Sequence, residues 1–129
     1  MDPRRRDRIR VEFKKAEEYL AAAEHLQKYG LYTPSATSSY YSAYHAAAAA
    51  FLTVGFDNPH KERFVSFMTA LQRYSSKLDP CIEKLETSKD AWAYNAAIDY
   101  GESDSLLRFY QTRDFVLEVK DFLRRTVKL

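Results

Sequence analysis

Apolar residues recur along this chain at the spacing of a helix, and no segment shows the sustained period-two alternation of a strand. In the first segment they form a stripe of Ile9, Phe13, Ala16, Leu20 and Ala23. Prolines that follow capping residues, as in Asp2-Pro3 and Thr33-Pro34, mark where helices begin, and glycines that can take the left-handed conformation, such as Gly30 and Gly101, mark where they end. These signals predict helices at 3–29, 34–54, 59–76, 80–99 and 104–127.

The connections between these segments are only a few residues long, which favours antiparallel neighbours. We therefore expect an all-α fold, a single-domain antiparallel up-and-down helical bundle of four to five helices over residues 1–129. The polar run Thr87-Ser-Lys-Asp90 interrupts the fourth apolar series and leaves open a break near Ser88. In the last segment Phe109, Val116, Val119 and Leu123 supply the face to be buried.

Composition fits one folded domain that needs no cofactor. The 129 residues are 46% apolar and include ten tyrosines and eight phenylalanines, enough for a real core. Cys81 is the single cysteine, so no internal disulfide can form. The chain shows neither a secretory leader nor an apolar run long enough for a bilayer, so we expect a cytoplasmic protein without membrane contact.

The second segment concentrates the candidate chemistry. Tyr41, Tyr44, His45, Ala48 and Leu52 share one helix face, and the small residues of 46–50 allow close helix approach. This polar stripe predicts either a hydrogen-bonded core or the wall of a site. For His45 the two interpretations are a buried histidine bonded to a neighbour's side chain and a general base.

Five arginines stand within the first ten residues: Arg4, Arg5, Arg6, Arg8 and Arg10. Positive charge near a helix N-terminus opposes the macrodipole, so helix stability does not explain them. They are either an arm for a phosphate backbone or an acidic partner, or a solvated end that keeps the chain soluble. The net charge of +2 does not decide between these hypotheses.

Four motifs in order resemble the HEPN family, named for higher eukaryotes and prokaryotes nucleotide-binding. The run from Lys15 to Tyr32 is similar to the family's alanine-rich opening helix with its glycine turn. Tyr40-Tyr-Ser-Ala-Tyr-His45 resembles its Tyr-Tyr-Ala-x-Phe-His pattern, Asn58-Pro-His60-Lys its third-helix opening, and Asp99-Tyr100 its Asp-Tyr signature.

The resemblance implies a helical bundle that is usually dimeric, and in many members a metal-independent ribonuclease restrained by a small nucleotidyltransferase. Catalysis in those members rests on an arginine followed four to six residues later by a histidine. No histidine of this chain has an arginine at that spacing, and Asn95 and Asp99 stand where the pair is expected. Ser38 replaces a further arginine common in the family.

We therefore expect a non-catalytic module, a homodimer that binds a nucleotide or RNA, pairs with a minimal nucleotidyltransferase as in toxin–antitoxin systems, or does both. The alternative is a metal-independent ribonuclease that uses His45 or His60 with the arginine arm. The predicted site lies between the second helix and the end of the fourth. Helical spacing does not bring His45, His60 and Asp99 together, so no metal site is predicted. The expected ligand-binding residues are Tyr41, Tyr44, His45, His60, Asn95, Asp99 and Tyr100.

Overall fold

The computed structural model describes residues 1–53 and 99–128, and within these ranges every regular element is a helix. Helix α1 spans Pro3–Lys28, α2 spans Tyr32–Leu52 and α3 spans Glu102–Thr126. The all-α prediction is confirmed for this part of the chain. The predicted helices 59–76 and 80–99 and the possible break near Ser88 lie outside the described residues.

Helix α1 begins and ends as its sequence predicts. The Asp2 carboxylate accepts a hydrogen bond from the Arg4 backbone N–H at 3.0 Å, which satisfies one of the unpaired donors of the first turn. Pro3 occupies the first helical position, where its missing N–H costs nothing. Gly30 follows the helix with φ +77°, the left-handed conformation that a side chain would strain.

The roles predicted for two boundary residues, Thr33 and Gly101, are wrong. Helix α2 begins at Tyr32, and Leu31 precedes it without a side-chain cap, so Thr33 is not the capping residue. Pro34 falls within the first turn, where backbone N–H groups have no intrahelical partner and none is missed. Gly101 does not end a helix in the left-handed conformation; it has extended backbone angles and precedes α3 as its N-cap.

Serine hydroxyls fix how α1 and α2 pack. Ser35 Oγ donates to the Ala23 carbonyl at 2.8 Å, and Ser42 Oγ donates to the Ala16 carbonyl at 2.6 Å. The two serines are seven residues apart on α2, and the two alanines are seven residues apart on α1. The later serine bonds to the earlier alanine, so α1 and α2 are antiparallel. We call these four residues the α1–α2 seam; all are fully buried, and their small side chains let the two backbones approach closely.

Helix α3 packs across both α1 and α2. At one end Ser105 Oγ donates to Gln27 Oε1 at 2.5 Å, and at the other Arg6 Nη2 donates to the Val127 carbonyl at 3.2 Å. Helix α3 is therefore antiparallel to α1. It runs parallel to α2, because the N–H of Tyr100, just before α3, bonds near the start of α2.

The core lies where the three helices meet. All four predicted apolar positions of α3 are buried, and from Ala46 to Leu52 every residue of α2 is buried. In α1, Ile9, Phe13, Ala16 and Ala23 are buried and Leu20 is half-buried, which confirms the predicted stripe. None of the helices in the described ranges has the length and apolarity needed to cross a membrane.

Candidate functional site

An ionisable pair lies at the edge of the α1–α2 interface. His45 of α2 places Nδ1 2.7 Å from Oε2 of Glu12 on α1, and each side chain is 13% exposed. The bond between Ser42 and Ala16 sets the antiparallel packing. His45 lies three residues after Ser42 on α2, and Glu12 lies four residues before Ala16 on α1, so the two side chains meet. A carboxylate at this distance orients the imidazole through a hydrogen bond.

Aromatic rings surround the histidine. The Tyr19 ring stacks on His45 with centroids 5.5 Å apart and planes only 1° from parallel, while Tyr44 meets the imidazole edge-on. Tyr41 lies 5.5 Å from Tyr19 in a tilted arrangement. Tyr19 is 37% exposed and Tyr41 39% exposed, so the cluster presents aromatic surface to solvent. We call Glu12, Tyr19, Tyr41 and His45 the outer row of the interface.

A surface depression of about 360 Å³ opens beside the outer row. Its charged lining is mixed, because Lys15 and Glu18 are both exposed on α1. The depression therefore combines an aromatic wall, an imidazole, one cation and one carboxylate. It is lined by Lys15, Glu18, Tyr19, Ala22 and His45.

The phenols behind the histidine stay neutral at physiological pH. Burial raises the pKa of Tyr40 above its usual 10.0, and the nearby Tyr41 adds to the effect. Burial likewise raises the pKa of Tyr44, with smaller contributions from Tyr40 and from the Glu12 carboxylate. These hydroxyls can donate hydrogen bonds, but they do not supply a phenolate base.

The structure brings together only part of the predicted site. Tyr44 contacts His45, and Tyr41 and His45 both lie against Tyr19, so these three residues form one cluster, as their spacing on α2 indicated. The Tyr100 N–H donates to Thr33 Oγ1 at 3.0 Å, at the opposite end of α2. Thr33 precedes His45 by twelve residues, about 18 Å of helix at 1.5 Å per residue.

Asp99 and Tyr100 are therefore not brought to His45 by the described contacts. Asp99 is exposed beside the start of α3. His60 and Asn95 lie outside the described residues. Whether any of the seven predicted residues binds a ligand stays a prediction.

Sequence reasoning missed the α1 half of the site. Glu12 and Tyr19 are seven residues apart and flank the buried Ala16, which is the signal that could have placed them towards a neighbouring helix. This spacing alone could not identify their partner, because only the packing of α1 on α2 places His45 beside Glu12 and Tyr19. Lys15 was missed for the same reason.

The predicted arginine arm is part of helix α1. Arg6 reaches the end of α3 through the Val127 carbonyl, and Arg10 lies 3.6 Å from Asp7 in an exposed ion pair. Arg4 and Arg8 are exposed, and Arg5 is half-buried. The basic residues therefore have fixed backbone positions on a folded helix.

Metal ligation finds no support in residues 1–53 and 99–128, where no three histidine, cysteine or carboxylate side chains converge on a point that could hold an ion. The pair His45 and Glu12 supplies two ligand types, but Lys15 across the depression opposes a cation.

A family model for the HEPN domain matches residues 9–128, nearly the whole chain. The chain therefore belongs to the HEPN family, and the resemblance found in its motifs is confirmed. Comparison with curated proteins gives no match for this chain. Family membership fits a module connected with nucleotides or RNA.

Proposed function

We propose that this chain is a non-catalytic HEPN module that binds a nucleotide or an RNA end at the depression beside the outer row. The observation that carries the proposal is the Tyr19 ring stacked on His45, 37% exposed, at the rim of that depression. A nucleobase stacks on an exposed aromatic face whatever its hydrogen-bonding edge, and one such stack contributes about 1–3 kcal/mol.

The polar groups around the ring suit the rest of a nucleotide. The Lys15 ammonium can neutralise a phosphate oxygen, and the Glu18 carboxylate can accept hydrogen bonds from ribose hydroxyls or from a base amine. His45 is oriented by Glu12, so its ring forms a fixed floor beneath Tyr19 rather than a mobile side chain. A preorganised surface of this kind loses little entropy when a ligand binds.

Titration with AMP and with a four-nucleotide RNA tests this function. We expect saturable binding that Tyr19→Ala weakens by about 5-fold to 150-fold, the equivalent of one lost base stack. Tyr29→Ala is the matched control, since Tyr29 directly follows the same helix, ten residues beyond Tyr19, and is 81% exposed. Equal binding by both variants, or no binding by the original chain, would refute the proposed function.

The alternative function is a metal-independent ribonuclease. The Glu12–His45 pair favours it, because a carboxylate-oriented imidazole can move protons at a ribose 2′-hydroxyl. Against it, the family's arginine and histidine spacing is absent from the sequence. An RNA pool incubated without metal should remain intact. Cleavage that survives purification, disappears in His45→Ala and persists in the exposed control His25→Ala would establish the alternative.

A homodimer is the second part of the proposal. Leu107, Tyr110 and Leu117 are each about half exposed and share one face of α3, which gives a second copy an apolar surface to cover. Light scattering should show twice the 15.0 kDa chain mass. Leu107→Glu combined with Leu117→Glu should return the monomer mass, and a monomer in the original chain would refute the dimer.

We also propose a cytoplasmic location, on the single cysteine and the polar composition, and a minimal nucleotidyltransferase as partner, on the family resemblance. The resemblance makes the neighbouring gene the place to look. Co-expression of a nucleotidyltransferase encoded there should give a complex that survives size exclusion. Separate elution of the two proteins at micromolar concentration would count against the pairing.

A further inference from the structure

The lining of the depression contains one cation and one carboxylate that do not pair with each other. Lys15 and Glu18 both line the depression, and both are exposed. Within residues 1–53 and 99–128 neither side chain makes a hydrogen bond or an ion pair. A helix often pairs such neighbours, as it does for Glu24 and Lys28, whose charged atoms are 3.3 Å apart. Both charges in the depression therefore remain available to a ligand.

The spacing along α1 places these two charges beside the stacking ring. Lys15 lies four residues before Tyr19 and three before Glu18, so all three belong to one side of the helix. Ala22 lies four residues after Glu18 and lines the same depression with a small methyl group. A flat ring that stacks on Tyr19 in this depression therefore has Lys15 and Glu18 along its edge.

Guanine is the base whose edge fits this pair of charges best. Its Watson–Crick edge carries two adjacent donors, the N1–H and the N2 amine, followed by the O6 acceptor. The two oxygens of the Glu18 carboxylate can accept from both donors, and the Lys15 ammonium can donate to O6.

The other bases use the carboxylate less well. Adenine and cytosine each present one amine beside a ring nitrogen that accepts, so only one carboxylate oxygen finds a donor. Uracil has a single N–H flanked by two carbonyl oxygens, and one of these would face a carboxylate oxygen. Hydrogen bonds to an ionised acceptor are about twice as strong as neutral ones, so the second donor of guanine matters.

We infer that the depression selects guanine nucleotides and that Glu18 is the residue that makes the selection. The inference rests on the proposed nucleotide site, in which Tyr19 stacks the base, and adds which base it takes. Lys15 has three N–H donors, so a bond to O6 is compatible with its contact to a phosphate.

Calorimetric titration with GMP, AMP and IMP tests the selection. All three carry the same ribose and phosphate, so differences in affinity report on the base alone. We expect GMP to bind about 5-fold to 10-fold more tightly than AMP, the equivalent of one further hydrogen bond to a charged group. IMP is GMP without the N2 amine, and it should bind more weakly than GMP for that reason.

Glu18→Gln should abolish the preference. The amide offers one acceptor and places its own N–H groups against the second guanine donor, so GMP should weaken by about 5-fold to 10-fold and become equal to IMP. AMP should not weaken, because a glutamine amide bonds well to adenine. Glu17→Gln is the matched control, since Glu17 is the neighbouring glutamate, half exposed and 3.7 Å from Lys120 of α3. It should retain the GMP preference.

The outcomes separate this inference from the proposed function. Equal affinity for GMP and AMP overturns the guanine selection and leaves the nucleotide site standing. A GMP preference that survives Glu18→Gln, or that Glu17→Gln also removes, overturns the role of Glu18. Failure of all three nucleotides to bind refutes the proposed function itself.

Discussion

The seam and the outer row are two parts of one helix interface, yet their polar groups serve different ends. In the seam, Ser35 and Ser42 are fully buried, and each hydroxyl donates to a backbone carbonyl of α1. In the outer row, Glu12 and His45 are 13% exposed and bond to each other, and His45 borders the depression. Small neutral groups hold the backbones together in the interior of the interface, whereas larger ionisable groups pair at its edge.

The largest effect is expected from enlarging a seam residue. Ser42→Leu inserts a branched side chain where the helix backbones are in close contact, and overpacking of this kind costs about 1–3 kcal/mol or more. Urea unfolding gives the loss directly. The control Ser103→Leu places the same side chain on the exposed first turn of α3 and should change stability by less than about 0.5 kcal/mol. Similar losses in both variants would contradict the close packing of the seam.

Breaking the outer-row pair tests whether it also stabilises the fold. Glu12→Ala and His45→Ala should each lower the free energy of unfolding by about 1 kcal/mol, because each strands a partly buried partner. The double variant should lose less than the sum of the two. A coupling energy of about 1 kcal/mol from this double-mutant cycle would confirm the pair, and strict additivity would show that the contact contributes nothing.

Two serines on α2 sharpen the comparison further. Ser39 is fully buried like Ser42, but its hydroxyl has no hydrogen-bond partner among the described residues. Ser42→Ala should cost about 1 kcal/mol through its lost bond, while Ser39→Ala should be neutral or stabilise by up to about 1 kcal/mol. Thermal unfolding of the two variants side by side measures the difference. Equal losses would mean that both hydroxyls are bonded.

The smallest effect is a dependence on high pH. The pKa of Tyr40 in the folded state exceeds its unfolded value of 10.0, chiefly through burial. The folded state then keeps a proton that the unfolded chain releases. The contribution of Tyr40 to stability is therefore constant below pH 10 and is lost as the pH rises above it. Tyr40→Phe has no proton to lose and should show a shallower decline between pH 9 and 11. Identical declines in urea unfolding would show that Tyr40 does not contribute.

Much of the secondary structure could be predicted because its causes are local. Asp2 and Pro3 start α1 through capping and a fixed φ, and Gly30 ends it through a left-handed backbone. The end of α1 and the start of α2 were within two residues of prediction at Lys28 and Tyr32. The prediction of Thr33 as the N-cap of α2 was wrong, because a capping residue needs a particular backbone conformation as well as a suitable side chain.

The sequence predicted the α2 residues of the candidate site but not its α1 residues, because the latter depend on how the helices pack. Tyr41, Tyr44 and His45 share a face by helical spacing alone, which the sequence contains. Their partners depend on which helix packs there and with what offset, a choice made by the bonds from Ser35 and Ser42. The expected partner was the end of the fourth helix, which lies outside the described residues; within them, α1 supplies Glu12 and Tyr19.

The sequence by itself determined the helical class, the HEPN family, the described helices to within two residues and the tyrosine and histidine face. These follow from short-range backbone preferences and from periodicity, which act within a few turns of chain. Only the tertiary structure decided that Glu12 meets His45 and that Arg6 reaches the Val127 carbonyl. Those contacts join residues 33 and 121 positions apart, so their geometry exists only once α1, α2 and α3 have packed.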